Sequence, residues 1–310
     1  MLILLPISIS VICLSIVSAL SEKNYRKLLE NTYSYKLEAI FRENELAIEK
    51  IIQSIPSLSK ENDFMQLITD NSADASFTNI SNTTEALRLI KENNKYIDSI
   101  AIINRTTHMV YSTNGNSTAE QYFYEEFRYN NYNFSYWKNY KAPLSKYQIL
   151  PPTAVMEYDT PKTIMPIVFT QVGNIKFPHL VIVNINIEKV LELTQQQVLT
   201  PESNFLFINK KDSQTFAPAS FKSKINNSSF FEKIADDTIS IFNFKDNNNK
   251  KQLVVAYSSS RSLSGYCFAV MVPYSDISKQ SGGFRLALII LVCIALLATL
   301  ATAYMSTKQI

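Results

Sequence analysis

The sequence predicts an α+β fold: two antiparallel sheet modules carried on one long N-terminal helix, with a membrane-spanning helix at either end. Three observations predict it. Residues 2–20 and 286–305 contain no charge, and the 30 basic and 27 acidic residues all fall within 21–285 apart from Lys308. Apolar residues then recur at three- and four-residue steps through 21–55 without Gly or Pro, which marks one continuous helix. Finally, a strand–turn–strand pattern occurs twice, the two copies about 100 residues apart.

The two uncharged runs are each about 30 Å long as helices, enough to cross a hydrocarbon core. The run 286–305 is rich in Leu, Ile and Val, with Tyr304 near one interface and Arg285 and Lys308 as polar flanks. The run 2–20 is an uncleaved anchor on our reading. Val17-Ser18-Ala19 also fits a signal-peptidase site, but no basic segment precedes the long apolar stretch. Lys23, Arg26, Lys27, Lys279 and Arg285 flank the spans on the side of the large domain. Taken alone, these charges place that domain in the cytoplasm, although long domains translocate largely regardless of flanking charge.

Within 21–55, Leu37, Ile40, Phe41, Ala47, Ile48, Ile51 and Ile55 share one helical face, and Pro56 ends the run. A core-facing stalk helix follows, one that also joins the membrane to the domain mechanically. A short helical turn is expected over 64–68, a polar loop over 70–81 and a helix over 83–95 capped by Thr83 or Thr84. Strands follow at 96–104 and 107–112, with a turn at 113–116. Further strands are expected at 163–170 and 179–187, joined by a loop containing Gly173, and then a helix over 188–198. The shorter second pattern has strands at 204–209, 238–243, 253–258 and 266–272, with loop and helix over 221–233.

Composition excludes several function classes. A net charge of +3 disfavours strong nucleic-acid contact by this chain, and 46% hydrophobic residues disfavour disorder. Three cysteines are too few for a disulfide framework, and His108 and His179 lie far apart, so no metal site is expected. Cys267 sits in an apolar run that reads as a buried strand. There is no Gly-x-Ser-x-Gly, P-loop, His-Glu-x-x-His or Gly-x-Gly-x-x-Gly motif, and the chain has five glycines. No catalytic residue and no cofactor are therefore assigned. Glu125, Glu126, Glu157 and Asp159 are the acids that a hydrolase would have to pair.

The segment 120–147 concentrates the aromatics. Tyr and Trp offer apolar faces with polar tips, which suits a partly wet pocket, or equally a loop pinned by its rings to a sheet. The candidate ligand-binding residues are Tyr122, Arg128, Trp137, Tyr140, Tyr158 and Asp159. Arg128 is suited to a carboxylate or phosphate, Asp159 to an amine, and the rings to walls or a cation–π face. Each also has a plain structural reading, Arg128 as a solvated surface residue.

The layout resembles the double-Cache extracytoplasmic sensor domains of bacterial receptors. The long membrane-proximal helix, "NNKYIDSIAIINRTTHMVYS", "HLVIVNINIEKVL", "NFLFINKKD" and "AYSSSRSLSGYCFAVMVPYSDI" carry the resemblance. The last looks like the closing strands of Cache-bearing AraC-type regulators and sensor histidine kinases of Gram-positive bacteria. The resemblance implies two PAS-like sheet modules: a stalk helix and linker over 21–78, a membrane-distal module over 79–199 and a membrane-proximal module over 200–285. It further implies that 21–285 lies outside the cell, that 306–310 is a cytoplasmic tail, and that the chain is a homodimeric membrane receptor. Such a receptor binds a small extracellular solute and signals to an AraC-type DNA-binding or kinase output. The alternatives are an interaction or assembly module of the cell envelope without a ligand, and a cell-envelope hydrolase. Amino-acid-sensing relatives grip the ligand carboxylate with an Arg-x-Trp-Tyr arrangement. Here Arg128 is followed by Tyr129 and Asn130, and Trp137 lies nine residues on, so that signature is not reproduced. Five residues after Met305 are too few for an output module.

Overall fold

The computed structural model describes residues 4–69, 77–141, 145–172, 175–196, 200, 202–217, 225, 228–236, 238–246, 249–258 and 263–279, with isolated positions between 286 and 297. Helix α1, Leu4–Ser54, is the spine. Its predicted stripe is buried: Leu37, Phe41, Ile51 and the following Ile55 have no exposed surface, and Leu29 and Tyr33 extend the stripe toward the N-terminus. Pro56 does not end the helical path but tightens it. The chain continues as a 3-10 turn, Ile55–Lys60, whose first positions need no backbone donor.

Helices α2, Asn62–Thr69, and α3, Phe77–Glu92, follow, linked by Asn82 donating to Asp63 Oδ2 at 2.7 Å. The expected helix at 83–95 thus begins six residues earlier, and Thr83 is buried within it rather than capping it. The reason is apolar: Ile80 packs on the core with Ala86, Leu87 and Ile90, so the buried face starts before the polar run ends. The rest of the expected loop, 70–76, lies outside the described residues.

Strands β1, Ile97–Asn104, β2, Met109–Ser112, and β3, Gly115–Thr118, form a meander. Gly115 takes φ +133° at its second corner, where a side chain would be strained. After the aromatic segment come β4, Phe127–Tyr129, β5, Tyr147–Ile149, β6, Thr153–Glu157, β7, Thr160–Val172, and β8, Ile175–Asn186. They make an antiparallel sheet ordered β3-β2-β1-β8-β7-β6-β4, with β5 also pairing β7. Helix α6, Ile187–Gln195, leads to a second antiparallel sheet. Its strands are β9, Asn204–Asn209, β10, Gln214–Phe216, β11, Ile239–Lys245, β12, Lys251–Ser258, and β13, Tyr266–Pro273, ordered β10-β9-β13-β12-β11. The loop containing Gly173 lies outside the described residues, as does part of 221–233.

One face of each sheet packs on the spine. A single core joins Leu37, Phe41 and Ile51 of α1 to Ile100, Ile102 and Val183 of the larger sheet and to Phe205, Val255 and Phe268 of the smaller. The Phe41 ring meets Tyr257 and Phe268 edge-on, at 5.3 and 5.6 Å. The far faces carry separate cores, aromatic on the larger sheet and built around Phe230, Phe244 and Cys267 on the smaller. Strands buried on both faces explain the near-continuous apolar runs at 97–103 and 266–272.

Among the described residues no helix is long and apolar enough to cross a membrane. Of the predicted spans, 286–305 lies outside the described residues apart from seven helical positions, and the side chains of 4–14 lie outside them too.

Candidate ligand-binding site

The larger sheet turns away from α1 a face that is apolar at one end and polar at the other. On β1, Ile100 and Ile102 point to the spine, while Ala101 and Ile103 point to the aromatic core. The register of β1 against β8 shifts between Ile97 and Ser99. That bulge leaves Asp98 unpaired in the ladder and free to re-aim its side chain. Asp98 joins a polar cluster at this end of the sheet. Its Oδ1 accepts from Lys162 Nζ on β7 at 3.0 Å and from Asn186 Nδ2 on β8 at 3.2 Å. Lys162 also pairs with Glu157 at the end of β6, whose Oε1 accepts from Asn114 Nδ2 at 3.1 Å. Beside it, Asn184 donates to Ser99 Oγ at 2.9 Å and accepts from the Tyr129 hydroxyl of β4 at 3.1 Å.

One polar atom here is left over, and a second is poorly served. Asp98 is 4% exposed, and its Oδ2 has no hydrogen-bond partner. The Tyr122 hydroxyl is wholly buried and no partner meets it in good hydrogen-bonding geometry, although Ser99 acts on it as a side-chain hydrogen-bond partner. Unpaired buried acceptors are costly, and each calls for a cause. The cluster also holds two carboxylates, Asp98 and Glu157, against one ammonium, Lys162, so a formal negative charge remains. Burial pulls the Lys162 ammonium toward neutrality, but hydrogen bonds and attraction from Glu157 and Asp98 outweigh it and raise its pKa. Burial also raises the pKa of Tyr122 and Tyr129, so both keep their protons.

An aromatic roof covers the face. A three-residue helix, α4, Ala119–Gln121, capped by Thr118, opens into a π-turn, Tyr122–Glu126. Tyr122 stacks on Phe127 at 5.8 Å and meets Phe123 edge-on at 5.1 Å. Helix α5, Phe134–Lys138, capped by Asn133, carries Trp137 into the same layer against Tyr129 at 5.4 Å. Trp137 is 1% exposed and its indole N–H has no partner. The segment is therefore a set of short elements pinned to the sheet by their rings.

The six residues singled out from the sequence fall in two places. Tyr122, Trp137 and Tyr140 belong to the roof, and the Tyr140 hydroxyl donates to Gln148 Oε1 at 2.7 Å. Arg128, Tyr158 and Asp159 lie at the outer edge. Arg128 projects outward between the buried Phe127 and Tyr129, donates to the Tyr158 carbonyl at 3.3 Å and lies 3.6 Å from Asp159. Asp159 is fully exposed, and Tyr158 turns the chain at φ +49°. The structure thus pairs the two charges with one another in solvent. Glu157 is bound to Lys162 in the cluster, while Asp159 is fully exposed beside Arg128, so that acid pair of the hydrolase reading does not share a partner. Among the described residues no group of three or more His, Cys, Asp or Glu gathers to hold a metal.

Sequence reasoning missed Asp98, Ser99, Glu157 as an inward group, Lys162, Asn184 and Asn186. A signal was present: "IDSIAII" and "VIVNIN" each place polar residues inside an apolar strand.

No family model matches this chain, and no curated protein matches it. Solved structures do. The periplasmic sensory domain of the Campylobacter jejuni chemoreceptor Tlp1 superposes with a TM-score of 0.57 at 11% identity, over 82% of this chain and 98% of that one. The extracellular domain of the putative histidine kinase soHK1S-Z6 gives 0.57 at 14% identity, over 83% and 98%. The ligand-binding domain of the C. jejuni chemoreceptor Tlp3, in complex with L-valine, gives 0.51 at 11% identity, over 83% and 98%. At such identities the likeness is one of fold. The chain has the Cache-like fold of periplasmic and extracellular sensory domains.

Proposed function

We propose that this chain is the sensory portion of a membrane-bound signal receptor, and that the polar end of the β1-β8-β7 face binds a small solute carrying an ammonium group. The observation that carries the reading is the buried, unpartnered Asp98 Oδ2 in a cluster with an excess negative charge. An ammonium supplies both the missing donor and the missing charge. L-valine, which Tlp3 binds, bears such a group. The Tyr122 and Tyr129 rings add faces for a cation.

In this reading 2–20 and 286–305 anchor the chain in the bilayer, with 21–285 outside the cell and the protein a homodimer. Ligand favours one arrangement of sheet and roof, α1 carries the shift along the core shared with the second sheet, and an AraC-type DNA-binding or kinase module receives it. Only a difference in affinity between two states drives such a shift. Calorimetric titration of the purified full chain with a panel of small amines and amino acids tests the proposal. Saturable heat from at least one member is expected. Silence across the panel overturns it and leaves the ligand-free assembly module as the better reading.

A further inference from the structure

A cavity opens at the opposite, apolar end of the same face. It holds about 250 Å³ where the β1–β2 turn, the start of α4 and helix α5 converge. Its inner wall is made by Ile103, Phe123, Phe134 and Trp137. Phe123 lies near-parallel to both Phe134 and Trp137, at 26° and 19° with centroids 6.0 Å away in each case. Its remaining walls are of another chemistry: Arg105, His108 and Lys138 line it, and no lining residue is acidic. The turn that carries two of them is held in place. Arg105 Nη2 donates to the Lys138 carbonyl at 2.8 Å, tying the turn to α5. His108 takes a left-handed φ of +58°, and its carbonyl accepts from Ala119 N at 2.7 Å. A non-glycine residue at positive φ is strained and persists where the surroundings over-determine it.

We propose that this cavity binds a small organic anion, a carboxylate on a flat or branched apolar body. The near-parallel rings take the apolar body, and Arg105, with Lys138 and His108 beside it, takes the carboxylate. Only one of the five guanidinium donors is engaged by the Lys138 carbonyl, so a fork remains for two carboxylate oxygens. The volume falls below the roughly 300–1,000 Å³ of sites for drug-sized ligands, which limits the occupant to about the size of one ring. The inference stands apart from the amine site. Asp98, Glu157 and Lys162 do not line this cavity, and the two sites meet only through the roof, where Phe123 touches Tyr122 and Tyr129 and Trp137 touches Tyr129.

Trp137 is the only tryptophan in the chain and lines the cavity, so its emission reports occupancy. The purified full chain is titrated with benzoate, benzyl alcohol and benzylamine, with emission of Trp137 followed. Benzoate is expected to change the emission saturably at millimolar concentration or below. Benzyl alcohol should bind at least tenfold more weakly, and benzylamine should give no saturable signal in Asp98→Asn, where the amine site is disabled. Arg105→Gln and Lys138→Gln, each checked for native circular dichroism, should weaken benzoate at least tenfold and at least threefold, respectively. Asp98→Asn should leave benzoate unchanged, which separates this site from the amine site. No saturable change with benzoate overturns the proposal, as does equal affinity for benzoate and benzylamine in Asp98→Asn. Affinity untouched in every correctly folded variant of Arg105 and Lys138 overturns it as well.

Discussion

Lys162 Nζ lies 3.0 Å from Asp98 Oδ1, joining β7 to the bulge of β1 across the intervening strand β8. The contact fixes the polar end of the face, and it spends one carboxylate oxygen while the other stays unpartnered. Removing the ammonium leaves the buried Asp98 and the part-buried Glu157 without their shared cation. Lys162→Met should therefore cost about 3 kcal/mol, the lower end of what breaking a buried pair costs, because the lysine is partly exposed. Urea unfolding followed by circular dichroism measures it.

The same pair gives a pH dependence. The folded-state pKa of Lys162 lies above its ordinary value of 10.5. Its contribution is fully present below 10.5 and is lost as pH rises through the folded value. The stability difference between the native protein and Lys162→Met should thus stay constant near neutrality and shrink above pH 10.5. Taking the difference removes the buried tyrosines, which titrate in the same range in both proteins. A gap that widens with alkalinity would contradict the assigned pairing.

Trp137 and Arg128 should behave oppositely. Trp137→Ala empties a packed position in the roof and should cost about 3–5 kcal/mol. Arg128→Ala removes an exposed partner of a fully exposed carboxylate and should leave the unfolding midpoint unchanged. Thermal melts of the two variants decide this.

Cys267 should resist modification. It lies fully buried on β13, where burial pushes its thiol up to about 12. A thiol reagent at neutral pH should label its peptide only after denaturant is added, as read by peptide mass mapping. Rapid labelling in the native protein would mean that the far core of the second sheet opens.

Much of the fold was legible because burial follows periodicity. The α1 stripe from Leu37 to Ile55 and the strands at 97–104, 204–209 and 266–273 are apolar at the spacing their geometry demands. The helix before β1 was placed late because Thr83 looks like a cap, and its packing is visible only in three dimensions. Strands β4, β5, β6 and β10 are three to five residues long and held by pairing rather than by pattern. The candidate site was half legible. Phe127-Arg128-Tyr129 alternates, so two inward rings already imply an outward Arg128. Asp98 was hidden because its direction depends on a bulge, and Lys162 because a polar strand start reads as loop. Only the fold brings residues 98, 157, 162 and 184 to one place.

The most direct test compares two variants against whichever amine the native full chain binds. Asp98→Asn keeps the shape and removes the charge, and the account predicts at least a hundredfold loss of calorimetric affinity, while Arg128→Gln binds as the native protein does. Retained affinity in Asp98→Asn with loss in Arg128→Gln would contradict the account and move the site to the exposed edge.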